Sequence, residues 1–566
     1  MRRRTGSGYD ARGLRRLLRW LLPAGLAGTV MFNSGCVATG PLAWIRNGFK
    51  VGPNYGRPPA PVADAWIEAN DPHVENRHLQ DWWDVFKDPG LNSLINTAYD
   101  QNLTLRIAGT RVLEARAQQA IAVGNIFPQT QQATGQYSRV GLSRNMANNP
   151  AALNQLFKGL PNSKALLSSF PASEIPTNWF SDWSTGFNLS WELDFWGRFR
   201  RAIESSNANL DVSVANFDDA LVTLLADVAT NYVQYRVAQQ RIKIARDNVK
   251  IQEGTLALAE QRFRVGTATN LDVQQAKTVL EQTRSTIPAL QIVLGQANDA
   301  LCVLLGMPVR DLEQELGPGP ELGSDPMPNT PTSVAAGIPA DLLRRRPDIR
   351  SAERQVAAQS AQIGVAEADL YPTLFINGTI GVEAQDISKL FESKSFMGTI
   401  TPNFRWNILN YGRILNNVRL QDVRTQELVA AYQNQVLRAG REVQDAIRGF
   451  LRSREQSEDL GQSVKAAAAA TQIGVRQYRA GTIDFNRVFN LETTQVQQQD
   501  NLAVVQGNIA LNLINVYRAL GGGWELRYQR EGGGEAVAAD VAAPAAAPAD
   551  SGLEELPPLS PVAGSR

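Results

Sequence analysis

Four side chains hold most of the chain's capacity for polar chemistry near neutral pH, and their spacing wastes it. The histidines are His73 and His78, five residues apart in a polar stretch; the cysteines are Cys36 and Cys302. Such a set supplies no acid–base partner for a nucleophile, no Cys/His metal site and no disulfide framework. Cys302, between Leu301 and Val303, reads as a small core hydrophobe, and both histidines as exposed loop residues. Carboxylates are scattered, with no nucleophile–base pairing, ligand cluster or phosphate loop. The 56 basic and 55 acidic side chains leave a net charge of +1, which exerts no pull on nucleic acid. An enzyme is poorly supported, and neither a metal nor a soluble cofactor is expected.

Cys36 has a different chemistry open to it. Arg2, Arg3, Arg4, Arg12, Arg15, Arg16 and Arg19 precede an apolar run from Leu21 to Phe32, too short to span a bilayer, and then Ser34-Gly35-Cys36. Residues 1–35 resemble a bacterial lipoprotein signal, after which Cys36 would carry a covalent lipid. The aliphatic residue usual three before the cysteine is Asn33 here, and an ordinary secretory signal with an incidental cysteine is the plainer alternative. Val37 rather than aspartate after the cysteine fits sorting to the outer membrane.

The elements that position everything else occur twice. A shift of 215 residues lays Trp196-Gly197-Arg198 on Tyr411-Gly412-Arg413, Arg264-Val265-Gly266-Thr267 on Arg479-Ala480-Gly481-Thr482, and Leu305-Gly306 on Leu520-Gly521. Upstream the shift is 244, with Phe127-Pro128 on Tyr371-Pro372. Two copies of one long unit must bury the same apolar stripe against neighbours. The spacing predicts an extended segment over 36–90 and a first repeat over 91–305, with a hairpin at 129–196 and long helices at 198–265 and 270–305. A connector follows at 306–338. The second repeat spans 339–524, with a hairpin at 373–409 and helices at 413–480 and 486–520. A disordered tail over 525–566 ends the chain. Phe217, Leu221, Leu224, Val228, Tyr232 and Tyr235 keep the three-four spacing of a coiled-coil seam.

Within each hairpin the period drops to two. Phe187, Leu189, Trp191, Leu193 and Phe195 alternate with Asn188, Ser190, Glu192 and Asp194; Ile400, Pro402 and Phe404 alternate with Thr399, Asn403 and Arg405. These strands face two solvents, the pattern of a transmembrane barrel, which assigns Glu192, Asp194 and Arg405 to the water side. Nothing else in the chain reads as strand, and four strands cannot close around a lumen, so the chain must oligomerise.

Together these pieces resemble the outer-membrane efflux protein family of the TolC and OprM type, in its NodT-like lipoprotein branch. The likeness rests on Gly52-Pro53-Asn54-Tyr55, Trp82-Trp83, Asp88-Pro89, Arg345-Arg346-Pro347-Asp348-Ile349 and the two Gly-Thr tips. It implies a membrane α+β fold: a homotrimeric twelve-stranded outer-membrane β-barrel, four strands per chain, continuous with a periplasmic α-helical coiled-coil barrel. It further implies a passive duct docked to a periplasmic adaptor and an inner-membrane RND-type pump, carrying drugs or other small toxic molecules outward. A type I protein-secretion duct is the runner-up, and a periplasmic adaptor lipoprotein is the rival of another class.

The resemblance also implies a gate at the periplasmic tips. Its latch would be a hydrogen bond between Tyr478 and Asp272. The second latch position is Ile483, and the aspartate-ring position is Asn490, leaving Asp484 as the nearest carboxylate; Arg487 belongs to the same set. Asp272 and Asp484 fit helix N-terminal charges equally well, and Tyr478 fits seam packing. The tips themselves, Arg264, Val265, Gly266, Thr267, Arg479, Ala480, Gly481 and Thr482, are the expected adaptor contacts, although any helical hairpin needs such a glycine stop.

Overall fold

The computed structural model describes residues 40–75, 81–141, 179–316 and 327–530. The signal over 1–35, Cys36, His78, the middle of the first hairpin and the chain beyond residue 530 lie outside the described residues.

In chain order the elements used below are α1 (Pro41–Arg46), β1 (Val74–Glu75), α2 (Pro89–Gln101), α3 (Leu103–Gly124), β2 (Thr130–Gly141) and β3 (Trp179–Leu193). Next come α4 (Arg198–Arg264), α5 (Asn270–Leu304), β4 (Val334–Ala335), α6 (Pro347–Ala368), β5 (Thr373–Ala384), β6 (Phe396–Arg405), α7 (Arg413–Ala480) and α8 (Phe485–Ala519). The duplication is geometric: α3 displaced by 244 positions coincides with α6, and α5 displaced by 215 coincides with α8. Gly197, Gly266 and Gly306 have positive φ, and so do their counterparts Gly412, Gly481 and Gly521.

Local chemistry sets the helix limits. Asp88 caps α2 by accepting from the Gly90 nitrogen at 2.9 Å, with Pro89 at the first helical position. Asn102 ends α2 and starts α3, accepting from Leu105 N at 2.8 Å while its amide donates to the Leu304 carbonyl at 2.8 Å. With 67 residues, α4 runs ~100 Å. It folds back on α5, as α7 does on α8, and it also packs along α8, which joins the two hairpins.

The sheet has the order β2-β3-β5-β6, antiparallel throughout. Its register puts Glu192 opposite Phe375, Ser190 opposite Asn377 and Asn188 opposite Thr379, and these pair onward with Asn403, Thr401 and Thr399. That face is polar. The other carries Trp191 beside Ile376, Leu189 beside Gly378, Phe187 beside Ile380, and then Pro402 and Ile400. Among the described residues, β2 and β6 each pair on one side only.

Between sheet and tips sits the main apolar core, where Trp82, Phe86, Leu91 and Ile95 meet Leu221, Leu225, Tyr232, Tyr432, Phe450, Leu513 and Tyr517. The Arg-Pro-Asp motif serves this region. Arg346 pairs with Asp348 at 2.7 Å and Glu442 at 2.7 Å and donates to the Ala519 carbonyl at 3.0 Å. Burial works to raise the Asp348 carboxyl, but its bonds from Arg346 hold it below the ordinary value. Residues 51–57 strap the outside: Arg201 grips the Val51 and Gly52 carbonyls at 2.9 Å, and Tyr55 and Arg57 both reach Glu353, at 3.0 and 2.8 Å.

Three boundaries differ from the expectations. Residues 36–90 are not all extended, since α1 and a short 3-10 turn over Trp82–Phe86 lie among them. The connector and the N-terminal segment share a two-residue parallel bridge, Val74 to Val334 and Glu75 to Ala335, too short to leave a period in the sequence. Residues 525–530 belong to the fold: Leu526–Arg530 is helical, Leu526 is buried, and Glu525 pairs with Arg345 at 3.3 Å.

Candidate functional site

The tips are built by one backbone device used twice. At the first, Gly266 N donates to the Phe263 carbonyl at 3.0 Å and Thr267 N to the Arg262 carbonyl at 2.9 Å. At the second, Gly481 N donates to Tyr478 and Thr482 N to Gln477, both at 3.0 Å. Gly266 and Gly481 take φ of 76° and 78°, a left-handed stop that lacks the Cβ clash.

The side chains break this symmetry. Tyr478 is 2% exposed, in a small cluster with Ala259, Ala276, Phe485 and Val488, whereas its counterpart Phe263 is 46% exposed. Arg262 crosses from the first hairpin to the second. Its guanidinium lies 4.5 Å from the Tyr478 ring centroid, one nitrogen donates to the Tyr478 carbonyl, and another to the Thr267 carbonyl at 3.2 Å. One cation thus ties both tips.

The expected Tyr478–Asp272 hydrogen bond is not formed. The Tyr478 hydroxyl is buried without a partner among the described residues. Asp272 is turned to its own helix: its carboxylate accepts from Thr269 N at 3.1 Å, and its nitrogen donates to the Thr269 hydroxyl at 3.3 Å. This capping box satisfies two free N–H groups at the start of α5 and fixes the carboxylate there. Asp272 still acts on Tyr478 through space: burial and that carboxylate raise the phenol's pKa, opposed by Arg262. Asp484 is likewise the N-cap of α8, accepting from Arg487 N at 3.1 Å. Arg487 and Asn490 are exposed and bring no charge pair to the tip.

Above the tip, α4 and α8 meet along a polar seam with a seven-residue step. Arg241 forks onto Asp500 at 2.7 and 2.9 Å, Asn248 reaches Gln499 at 2.8 Å, Thr255 donates to Glu492 at 2.7 Å, and Arg262 follows at the tip. Glu492 is buried, and that burial pushes its carboxyl above the ordinary value against the pull of Thr255. The sequence reading missed these residues. Their signal was present as polar side chains at 241, 248, 255 and 262, one heptad apart in an otherwise apolar seam.

On the sheet, Glu192 and Arg405 stand on the polar face. Glu192 lies 3.5 Å from Arg198, and the Arg405 guanidinium covers Phe375 at 4.9 Å. Asp194 is a correction: β3 ends at Leu193, and Asp194 instead accepts from Phe199 N at 2.9 Å, Arg200 N at 3.1 Å and Arg200 Nε at 2.8 Å. It fastens the strand-to-helix corner.

An open sheet with one polar and one apolar face, mounted on helical hairpins longer than any compact domain, has the two-solvent surface of an outer-membrane protein. Residues 94–307 and 338–522 match the outer membrane efflux protein family, and the chain belongs to it. It is similar to the pyoverdine export outer membrane protein OpmQ of Pseudomonas putida, with 30% identity over 446 residues, 79% of this chain and 88% of that one. It is also similar to the probable outer membrane lipoprotein SilC of Salmonella typhimurium, with 28% identity over 502 residues, 88% and 97% of the two chains. Among solved structures, the outer-membrane channel OprN aligns with a TM-score of 0.74 and 30% identity, over 84% of this chain and 99% of that one. The protein is an outer-membrane efflux channel.

Proposed function

We propose that three copies close their sheets into a twelve-stranded barrel and their hairpins into a periplasmic tunnel, forming a passive duct without catalytic chemistry. The observation that carries this reading is the sheet itself. Its faces differ in polarity while both edges, β2 and β6, are open, and lipid tolerates neither an open edge nor a polar face, so the edges must meet those of other copies. Exposed Leu103, Ile107 and Ile121 on α3 and Ile292, Val293 and Val303 on α5 supply apolar surface for the same side-by-side contact.

In this reading Cys36 carries the lipid anchor, and Glu192 and Arg405 tune ion preference in the lumen. The eight tip residues, Arg264 to Thr267 and Arg479 to Thr482, are all exposed and form the surface for a periplasmic adaptor, through which an inner-membrane RND-type pump delivers drugs or other small toxic molecules. The gate is the α4–α8 seam. Hydrogen-bonded rungs hold register yet re-form with water when parted, so this contact separates at lower cost than an apolar seam. Arg262 locks its last rung.

Single-channel recording on the purified trimer tests both parts. Arg262→Ala removes charge-assisted bonds worth ~1.5–3 kcal/mol, which shifts the closed-to-open ratio roughly tenfold or more. Conductance should rise, and cells should take up a glycopeptide too large for porins. A monomeric protein that never conducts overturns the duct; unchanged conductance in Arg262→Ala overturns the lock.

A further inference from the structure

The helix-ward end of the sheet bears a surface that the duct does not use. Leu42 and Ile45 stand three residues apart on α1, Phe49 follows in the turn after it, and they are 72%, 53% and 51% exposed. The surface is rigidly mounted. Arg200, held by Asp194, donates to the Gly48 and Phe49 carbonyls at 2.7 and 2.9 Å, and Val51 N donates to the Trp196 carbonyl at 3.0 Å. Trp44 packs against Phe49, Phe195 and Trp196 at centroid distances of 4.8, 5.2 and 5.3 Å.

Its place is set by contact. Trp44 packs on Phe195 and Trp196, which follow soon after the last strand residue, so the patch lies at the strand-to-helix corner beside the end of the apolar column of Phe187, Leu189, Trp191 and Leu193. Arg46 is exposed on the same short helix, suited to a phosphate headgroup. Apolar side chains flanked by a tryptophan and an arginine at the edge of a membrane-facing surface have the composition of an interfacial element. Gly40 is also only four residues from Cys36, a reach of at most ~14 Å.

We infer that Pro41–Phe49 is an interfacial wedge that sinks Leu42, Ile45 and Phe49 into the phospholipid leaflet facing the periplasm. It rests on the barrel reading above. An acyl chain on Cys36 limits how far the protein strays from the membrane; the wedge, bonded to the strand-to-helix corner, sets its height and tilt.

The test places nitroxide labels at Leu42→Cys, Ile45→Cys and Phe49→Cys in the full mature protein carrying Cys36→Ser and Cys302→Ala. The vesicles are phosphatidylethanolamine and phosphatidylglycerol. Ile400→Cys on the apolar sheet face and Asn403→Cys on the polar face are references. Molecular oxygen partitions into lipid and a nickel chelate into water. Labels at 42, 45 and 49 should collide with oxygen several-fold more than with nickel, as at 400, with the reverse at 403. Nickel access equal to that at 403 means a water-facing patch and overturns the inference. Exclusion of both reagents means a neighbouring protomer covers it, and also overturns it. If the label at 400 is itself open to nickel, the sheet does not lie in lipid, and the barrel reading falls with the wedge.

Discussion

The two tips share a backbone and oppose each other in chemistry. Both end on a left-handed glycine, yet position by position the copies have diverged: Arg262 against Gln477, Phe263 against Tyr478, Thr269 against Asp484, Asp272 against Arg487, Lys277 against Glu492. The first copy finishes its helix start with a capping box; the second has arginine where the acceptor would be and relies on Asp484 alone. The first exposes its aromatic residue, and the second buries it beneath Arg262 from the first. Duplication therefore supplied the scaffold, and divergence at a few positions made one tip the clamp and the other the thing clamped.

The largest effect that can break this comparison is truncation of the two aromatics. Tyr478→Ala should cost ~3–5 kcal/mol of local stability, as for other buried aromatics, and loosen the tip. Phe263→Ala should stay within ~0.5 kcal/mol. Hydrogen exchange of the amides around residues 470–492 reads both. Equal losses would mean that Phe263 is buried in the assembled duct and that the tips are equivalent.

A smaller effect separates Glu492 from Lys277. Burial raises the Glu492 carboxyl above its unfolded value, so its contribution to the seam is fully present below the ordinary carboxylate range and is lost as pH rises through the raised value. Tip protection should thus be greater at acidic than at neutral pH. Glu492→Gln should flatten the dependence and match the acid form throughout, while Lys277→Gln, at an exposed position, should leave it unchanged. A pH slope that survives Glu492→Gln assigns it elsewhere.

Much of the architecture was legible because it is repetitive and local. Gly266 and Gly481 mark helix limits through backbone preferences that need no partner, and the alternation from Phe187 to Leu193 assigns faces through a period of two. The site was less legible because its contacts are distant. Arg262 and Tyr478 are 216 residues apart in sequence, and no periodicity in either copy says that they meet. Asp194 continues the strand pattern by type, but the corner at Gly197 takes its carboxylate for the first turn of α4. Asp272 stands in the first turn of α5, where a nearer donor, the Thr269 N–H, takes its carboxylate in place of the Tyr478 hydroxyl.

The smallest expected effect discriminates most between two gates. If a Tyr478–Asp272 hydrogen bond held the mouth, Tyr478→Phe would break it, and conductance would rise by the amount expected for Arg262→Ala. In the arrangement described here the hydroxyl has no partner, while the ring keeps its cation contact and its carbonyl keeps the Arg262 bond. Removing a buried, unsatisfied hydroxyl while preserving the ring is neutral or stabilising by about 1 kcal/mol. Tyr478→Phe should then leave closed-state conductance unchanged, and Asp272→Asn should weaken the start of α5 by ~0.5–1 kcal/mol without opening the channel. A rise in conductance for Tyr478→Phe equal to that of Arg262→Ala would return the latch to the phenol and make Arg262 an ordinary helix-end contact.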